Sequence, residues 1–282
     1  MPTDADFTLL RLVVLEESGN MLDPSRDHLF KSRLHKLLTV TGLESLDCLA
    51  ASLGERPDSA LRRAVAEAMT AKETSFFRDR STFDMLQSEL LPALIRRRES
   101  SRRLRLWSAA CSSGQETYSL AMVLREHFPQ VNDWQIEISG TDVSQEMIQR
   151  AQAGRYQSSE VSRGLPAHYR MKYLRLVGEE REDEEWEVVS EVKRMCRFYR
   201  RNLCDGPLPF EKYDGILLRN VMLYFPDELR RTLLLRVHRM LAPDGFLILG
   251  SSEQPGMPDH FQAELNGNAV YYSPLQTAGQ AG

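Results

Sequence analysis

The stretch from Leu104 to Met122 constrains the fold more than any other, because its pattern changes twice within a few residues. It begins with an apolar run, LRLWSAAC, breaks at Ser112-Ser113-Gly114, and continues with apolar residues at helical spacing. We interpret this order as a strand, a tight turn and a helix. In an open α/β sheet, the turn after the first strand is where a nucleotide-like ligand usually binds. The stretch therefore predicts a doubly wound α/β domain with a ligand site at this turn.

Glu116, two residues after the glycine of this turn, narrows the kind of ligand. The small residues from Ser108 to Gly114 would let a ligand approach the backbone closely. A carboxylate at the start of the helix would repel a phosphate. The turn is therefore suited to a ligand that carries hydroxyl groups or a positive charge.

The length and composition are those of a globular protein with two domains. The chain has 282 residues, of which 42% are hydrophobic and 27% charged, and its net charge of −4 argues against a non-specific nucleic-acid binder. No apolar run reaches the roughly 18 residues that a membrane span requires. The acidic N-terminus lacks the basic region of a signal peptide. We therefore expect a cytoplasmic protein without direct membrane insertion.

The cysteines and histidines predict no metal site. The four cysteines form no C-x-x-C pair, and the six histidines form no H-E-x-x-H motif. We expect the cysteines to be reduced thiols of a cytoplasmic protein.

The chain before the first strand is predicted to be helical. Residues 7–70 show helical spacing of apolar residues, and we place the domain boundary in the arginine-rich stretch 96–103. This gives an all-helical N-terminal domain, 1–95, and an α/β domain, 96–282. One predicted helix, Ser25 to Thr39, carries a basic face that is either solvated or docks an acidic helical partner. The basic face consists of Lys31, Arg33, His35 and Lys36.

The segment 72–79, KETSFFRD, lies between two helical patterns and allows two interpretations. Its adjacent phenylalanines could anchor a linker. Alternatively, the segment is a lid whose polar residues point into the site that follows.

Asp142 ends the second predicted strand, WQIEISG at 134–140, and also allows two interpretations. Doubly wound nucleotide folds hold ribose hydroxyls with an acidic residue at this place. Asp142 lies 28 residues after Gly114, whereas about 20 is usual. The alternative is that Asp142 only caps the helix that begins at Val143 or Ser144.

The rest of the chain departs from a plain βαβ pattern between residues 155 and 200. Short predicted strands and an acidic run, Glu179 to Glu187, indicate a small β-rich insertion at about 160–200 with an exposed hairpin tip. The last of these predicted strands is Val192 to Tyr199. Later elements are a buried strand at 213–218, a helix from Pro226-Asp227 and a strand at 246–250. Val270 to Ser273 closes the domain, and residues 274–282 are a loose tail.

Several segments together resemble one family, the CheR-type chemotaxis receptor methyltransferases. The matching segments are KETSFFRD (72–79), WSAACSSGQETYSLAM (107–122), GTDVSQEMIQRAQAGRY (140–156), NLCD (202–205), YDGILLRNVMLYF (213–225) and LAPDGFLILGSSE (241–253). The resemblance covers nearly the whole chain. It implies a Rossmann-like domain that uses S-adenosylmethionine, releases S-adenosylhomocysteine and methylates glutamate side chains of chemoreceptors.

The resemblance also implies roles for individual residues. Arg78 and Tyr224 are the positions expected to place the substrate glutamate. Thr74 and Arg78 approach the methionine end of the cofactor, Glu116 its amine and Asp142 its ribose. Asn202 and Leu203 flank the adenine, and Asn220 lies near the carboxylate side. The full set expected to bind the cofactor is Thr74, Arg78, Glu116, Asp142, Asn202, Leu203, Arg219 and Asn220.

The implied partners are the cytoplasmic methylation helices of a receptor, which the N-terminal helices would meet, and we expect a monomer that binds no nucleic acid. In some members the β-subdomain grips a receptor tail peptide, but the hairpin tip of this chain is acidic and has only Gly178. Lys72 stands where the family often has Asn, Gln115 replaces a commoner Glu, and Thr117 a commoner Pro. These departures leave Glu116 in place.

Methyl transfer to a carboxylate suits such residues, because a glutamate with a pKa of about 4.3 is already an anion at pH 7. The in-line displacement needs no general base and no metal. Two alternatives remain: a non-catalytic S-adenosylmethionine-binding regulator, and a methyltransferase of this fold with another substrate, such as nucleic acid. Against the latter, the segment after the buried strand reads RNVMLYF, without the Pro-Pro-Tyr of amino-methylating DNA enzymes.

Overall fold

The computed structural model describes residues 1–55, 59–177, 184–205 and 212–276. Contacts divide the chain into two units. Unit 1 comprises Met1–Ala71 with Leu223–Arg230, and unit 2 comprises Lys72–Met222 with Arg231–Gly282.

Unit 1 is helical, as its apolar spacing predicts. Its first helix begins at a capping box between Thr3 and Asp6 and ends at Gly19, whose φ of 73° suits a glycine. The helices are α1 (Asp4–Ser18), α2 (His28–Arg33), α3 (His35–Thr41), α4 (Leu46–Glu55) and α5 (Ser59–Met69), with a 3₁₀ turn at Pro24–Arg26. The single helix predicted from Ser25 to Thr39 is thus divided into three pieces. Fully buried Phe30 and Leu34 anchor this region in the core of the unit.

Unit 2 contains a seven-stranded sheet with the order β6-β2-β1-β7-β8-β10-β9. Its strands are β1 (Arg103–Ala109), β2 (Gln135–Asp142), β6 (Cys196–Arg200), β7 (Tyr213–Leu218), β8 (Leu241–Leu249), β9 (Phe261–Asn266) and β10 (Ala269–Pro274). Strands β6, β2, β1, β7 and β8 run parallel, and β10 pairs antiparallel with β8 and β9. This confirms the predicted Rossmann-like α/β fold.

The periodicity of each strand follows its place in the sheet. All six residues of central β7 are buried, which explains its continuous apolar run. In the outermost strand β9 only Phe261 is buried and the other residues are exposed or half-buried, so this strand has no clear apolar pattern and was not predicted.

The helices of unit 2 frame this sheet. They are α6 (Arg80–Met85), α7 (Leu91–Arg97), α8 (Gln115–His127), α9 (Gln145–Ala153), α10 (Ser158–Ser162), α11 (Ala167–Tyr173), α12 (Ser190–Lys193) and α13 (Asp227–Met240). A π-helical turn, Leu86–Leu90, joins α6 to α7. The wider turn precedes Pro92, which lacks an N–H, and the helix continues through it to Arg97.

Residues 72–95 share the core of unit 2, whereas the sequence analysis placed them in the helical domain. Phe76, Phe83, Leu86 and Leu91 are at most 3% exposed and belong to the same hydrophobic cluster as β1 and α8. The two divisions of the chain differ by these residues and by Leu223–Arg230, which belong to unit 1. Helical periodicity shows that a face is buried but not which core buries it.

The β-rich insertion forms a separate antiparallel sheet of β3 (Arg155–Gln157), β5 (Glu185–Val188) and β4 (Leu174–Val177), in that order. The strand predicted at Val192 to Tyr199 does not belong to this small sheet. Its first residues lie in α12, and β6 pairs in parallel with β2 at the edge of the main sheet. The acidic hairpin tip at 178–183 and the tail at 277–282 lie outside the described residues.

Candidate functional site

The carboxyl ends of four adjacent parallel strands hold most of the predicted site. Strands β6, β2, β1 and β7 end at Arg200, Asp142, Ala109 and Leu218 on the same edge of the sheet. Asp142 is the last residue of β2, and Glu116 lies in the first turn of α8, after the turn that follows β1. The loops after β6 and β7 carry Asn202, Leu203, Arg219 and Asn220. Ligands of open α/β sheets bind at this edge.

The turn after β1 has an unusual backbone. Ala110, Ser112 and Gly114 adopt positive φ angles of 62°, 49° and 94°. A Cβ at Gly114 would lie 2.9 Å from the Cβ of Ala151, so helix α9 packs too closely for a side chain there. Non-glycine residues with positive φ cost free energy and persist where surrounding contacts hold them, which is typical of ligand sites.

Asp142 fastens this turn to the next helix. Its Oδ2 accepts a hydrogen bond from Ser112 N–H, and its Oδ1 accepts one from Ser144 N–H, both at 2.9 Å. The N-cap of α9 is Ser144 itself, whose Oγ accepts from Met147 N–H. The capping interpretation of Asp142 is therefore not needed for the helix to begin, and its ribose role stays a prediction.

Glu116 is held from two sides. Its Oε1 accepts a hydrogen bond from Ser108 Oγ at 2.7 Å. Its Oε2 lies 2.7 Å from Nη1 of Arg219, whose side chain is 2% exposed. Glu116 and Arg219, which are 103 positions apart in the chain, thus form a buried ion pair beside the turn after β1.

Arg219 also reaches the 72–79 segment. Its Nη2 donates to Asp79 Oδ2 at 2.6 Å and to the backbone carbonyl of Arg78 at 3.0 Å. Two carboxylates therefore surround one guanidinium, so the cluster of Glu116, Asp79 and Arg219 carries one net negative charge. Arg219 Nε is buried and has no hydrogen-bond partner among the described residues. A partly buried cluster with excess negative charge favours a cationic ligand.

One phenylalanine of the 72–79 segment is an anchor, and the interpretation of the segment as a lid stays a prediction. Phe76 is fully buried and packs edge-on against Tyr156, with ring centroids 5.0 Å apart, so it is an anchor. Phe77 N–H donates to Ser119 Oγ at 3.0 Å. Arg78 lies between Phe77 and Asp79, which both have positive φ angles, 49° and 57°. Its half-buried side chain donates from Nη1 to the Glu73 carbonyl at 3.2 Å.

The start of this segment is hydrogen-bonded to the turn after β1. Ser112 Oγ donates to the Lys72 carbonyl at 2.8 Å, and Lys72 Nζ pairs with Glu146 of α9 at 2.7 Å. Thr74, half-buried, lines a polar cavity of about 310 Å³. The other lining residues are Lys72, Glu73, Ser113, Gln115, Arg150, Ser159, Glu160 and Arg163.

The loop after β7 depends on a residue that the sequence analysis gave no role. Glu253 is 8% exposed, and its Oε2 accepts hydrogen bonds from Asn220 N–H at 2.7 Å and Gly250 N–H at 2.8 Å. Asn220 has a φ of 57°. Glu253 thus holds Asn220 at a positive φ, which is uncommon outside glycine and which asparagine adopts more readily than most other residues. The sequence signal for Glu253 was its place in the loop after strand β8.

The remaining predicted residues lie in two different places. Asn202 Oδ1 accepts from Cys204 N–H at 3.0 Å, and Leu203 beside it is 6% exposed, so both shape the loop after β6. Tyr224 belongs to unit 1, where its backbone carbonyl accepts a hydrogen bond from Met21 N–H at 2.8 Å. Its role beside Arg78 stays a prediction.

The part of the chain that the structure describes contains no group of three His, Cys, Asp or Glu residues able to hold a metal ion. Within the same residues, no single helix has the length and apolar character to cross a membrane. One bent pair, His35–Thr41 with Leu46–Gly54, meets those two criteria together.

Comparison with known proteins decides the family. The family described as "CheR methyltransferase, SAM binding domain" matches residues 72–268. The chain belongs to the CheR methyltransferase family. Residues 72–268 therefore form an S-adenosylmethionine-binding domain, and the chain is a methyltransferase-family member connected with chemotaxis.

Three relatives of this CheR protein align along most of their length. It is 38% identical to chemotaxis protein methyltransferase 1 of Pseudomonas aeruginosa, over 92% of this chain and 94% of the relative. It is 37% identical to chemotaxis protein methyltransferase Cher2 of Pseudomonas putida, over 91% and 93%. It is 35% identical to a chemotaxis protein methyltransferase of Vibrio parahaemolyticus, over 95% and 97%. These matches confirm the resemblance stated above.

Proposed function

We propose that this CheR-family protein transfers a methyl group from S-adenosylmethionine to glutamate side chains of a chemoreceptor or related signalling protein. The products are glutamate methyl esters and S-adenosylhomocysteine. The observation that carries the proposal is the Glu116–Arg219–Asp79 cluster, whose net negative charge adjoins Arg78 at the cofactor edge of the sheet.

The residues at this edge fit the proposed cofactor. When bound, S-adenosylmethionine supplies an electrophilic methyl group on a sulfonium. Glu116 has lone pairs left beside those used by Ser108 and Arg219, and these can accept an ammonium. Asp142 provides carboxylate oxygens for ribose hydroxyls, and Leu203 provides an apolar wall for the adenine. The negative charge of the cluster agrees with a ligand that carries no phosphate.

The chain's own residues then need only to bind, orient and exclude water. A glutamate substrate is already ionised at pH 7, so no residue has to remove a proton. The charges of the two reactants cancel as the bond forms, so strong solvation would favour the reactants. A dry pocket that keeps them aligned should account for much of the rate. Arg78 and Tyr224 would orient the carboxylate without binding it so tightly that the ground state is stabilised.

The receptor contact is proposed for the helices of unit 1. Lys31, His35 and Lys36 are exposed on α2 and α3, and α3 has no buried residue. This basic face stands out in a chain with a net charge of −4. It is complementary to the glutamate-bearing helices of a receptor, and such complementarity favours association.

The substitution Arg78→Ala tests the assignment. We expect transfer to a receptor cytoplasmic fragment to fall at least about 100-fold, while the Kd for the cofactor changes less than about threefold, because Arg78 acts on the substrate carboxylate. Tritiated methyl transfer measures the first quantity and isothermal titration with S-adenosylhomocysteine the second. Arg80→Ala, an exposed arginine at the start of α6, is the matched control and should retain activity.

The same assay separates the alternatives. Label that is released from the receptor by mild base identifies an ester. If the wild-type protein binds the cofactor and methylates no receptor fragment, the enzyme proposal fails and the regulator reading replaces it. A large loss of cofactor affinity in Arg78→Ala would show that Arg78 binds the cofactor instead.

A further inference from the structure

Arg219 is the junction between the cofactor turn and the backbone of Arg78. One guanidinium nitrogen binds Glu116, and the other binds both the Asp79 carboxylate and the Arg78 carbonyl. With its side chain 2% exposed and both Nη groups engaged, Arg219 is itself enclosed by protein. Arg219 therefore contacts both Glu116, which is proposed to bind the cofactor, and the backbone of Arg78, which is proposed to bind the substrate.

The backbone around Arg78 requires such support. Phe77 and Asp79 both have positive φ angles, and neither is a glycine. Conformations of this kind persist only where several contacts hold them. Four hydrogen bonds do so among the described residues: Phe77 N–H to Ser119 Oγ, Thr82 N–H to the Asp79 carbonyl, and the two from Arg219 Nη2. Arg219 is the side chain that supplies two of these four.

We propose that Arg219 is a positioning residue that couples binding of the cofactor's ammonium at Glu116 to the placement of Arg78. The inference rests on the proposed function and extends it to a coupling between the two ends of the site. Without a cation at Glu116, two carboxylates share one guanidinium. A bound ammonium satisfies part of Glu116 and brings the net charge of the cluster from −1 to zero, which lets the guanidinium strengthen its bonds to Asp79 and the Arg78 carbonyl.

The chemistry of arginine suits this role. A guanidinium is planar and directs its Nη donors to two carboxylates and a carbonyl at once. A lysine ammonium would keep the charge but, as a compact group, could not hold all three acceptors in this geometry. Arg219→Lys is therefore a variant that loses the link while it retains the charge.

Kinetics on Asp79→Asn and Arg219→Lys give the first test. Asp79 has a 37% exposed side chain, so its replacement is compatible with folding. We expect kcat to fall about tenfold or more in each variant, with the Kd for S-adenosylhomocysteine within about threefold of wild type. Asp133→Asn, which breaks the surface ion pair with Arg102, is the control and should keep full activity. A parallel loss of cofactor affinity and kcat would overturn the coupling and leave Arg219 as a cofactor-binding residue only.

Hydrogen exchange gives a second readout that needs no methyl acceptor. Saturating S-adenosylhomocysteine should slow exchange of the backbone amides at 74–79 in the wild type, and this protection should be much smaller in Asp79→Asn and Arg219→Lys. Equal protection in all three proteins, or none in the wild type, would overturn the inference. Protection without any receptor methylation would refute the proposed function and leave the coupling standing.

Discussion

At the scale of single residues, the site depends on carboxylates that each serve two partners. Glu116 binds Ser108 and Arg219, and Asp142 binds the backbone of Ser112 in the turn after β1 and of Ser144 at the start of α9. A carboxylate has about four lone-pair positions, so these bonds orient it while leaving acceptor capacity for a ligand. The protein contacts therefore prepare the acceptors before any ligand arrives, which lowers the ordering cost of binding.

Asp142→Asn should weaken cofactor binding at least about tenfold, which corresponds to about 1.4 kcal/mol. The amide loses the charge and one acceptor for the ribose hydroxyls. Helix α9 keeps its own cap at Ser144, so thermal stability should change little. Isothermal titration with S-adenosylhomocysteine checks the affinity, with Asp259→Asn, an exposed carboxylate, as the control. Unchanged affinity would mean that Asp142 serves only to hold the turn.

At the scale of elements, the β-rich insertion supports the 72–79 segment. Gly164, between α10 and α11, has a φ of 92°, and a Cβ there would lie 2.2 Å from the Phe76 carbonyl oxygen. The loop of the insertion thus passes directly against the backbone of the residue that anchors this segment. The insertion therefore has a role in the site whether or not it binds a peptide.

Gly164→Ala should destabilise the protein by about 1–3 kcal/mol, because the added methyl group forces the backbone of Phe76 to move. The matched control is Gly256→Ala, since Gly256 also has a positive φ, 60°, but nothing lies within 4 Å of the added atom. The control should lose only the conformational cost, about 1 kcal/mol. Urea unfolding measures both. Equal losses in the two variants would show that the contact with Phe76 relaxes freely.

At the scale of the whole molecule, each unit has its own hydrophobic core, and arginines of the 96–103 stretch fasten unit 2. Arg98 Nε donates to Asp214 Oδ1 at 2.7 Å, and its two Nη groups bind the Asp244 carboxylate at 2.8 and 2.6 Å. This arrangement joins the end of α7 to β7 and β8. The arginine-rich stretch, in which the domain boundary was predicted, thus contains a structural ion-pair network.

The pH dependence of stability should report this network. The hydrogen bonds from Arg98 hold the pKa of Asp244 below its usual range, so this carboxylate stabilises the fold above its unfolded pKa of about 3.9. The contribution is lost as the pH falls through the lower folded pKa. Arg98→Met should therefore cost about 2 kcal/mol at pH 7, because Asp214 keeps a buried charge, and the deficit should shrink below about pH 4.

Urea unfolding between pH 7 and pH 3 measures this deficit. The control is Arg97→Met, since Arg97 is exposed and bonds only the Asp244 carbonyl among the contacts that the structure describes. Its deficit should be smaller and should depend less on pH, because the charge of Arg97 lowers the pKa of Asp244 less than the hydrogen bonds from Arg98 do. A deficit for Arg98→Met that persists unchanged at pH 3 would contradict the role of the ion pairs.

Local sequence patterns were sufficient to predict the helices and strands whose buried residues recur within one short stretch of the chain. The strand–turn–helix from Leu104 to Met122, central strand β7 and helix α13 follow from apolar periodicity and turn residues. The resemblance to CheR proteins likewise rested on contiguous segments, and the family match confirms it. Periodicity alone failed in two places. It predicted one helix from Ser25 to Thr39 where the chain forms three pieces, and it did not predict the edge strand β9.

The sequence by itself determined the fold class, the family and the strand ends where the cofactor residues gather, since each is encoded in short stretches of chain. Only the tertiary structure placed β6 in the main sheet, Glu253 under Asn220, and Arg219 between Glu116 and Asp79. The reason is that side-chain partners depend on strand order and on loops that meet across the sheet. The turn at Ser112 to Gly114 predicted a site for a ligand with hydroxyl groups or a positive charge. The buried guanidinium that links it to Arg78 comes from the loop after β7, more than a hundred residues away.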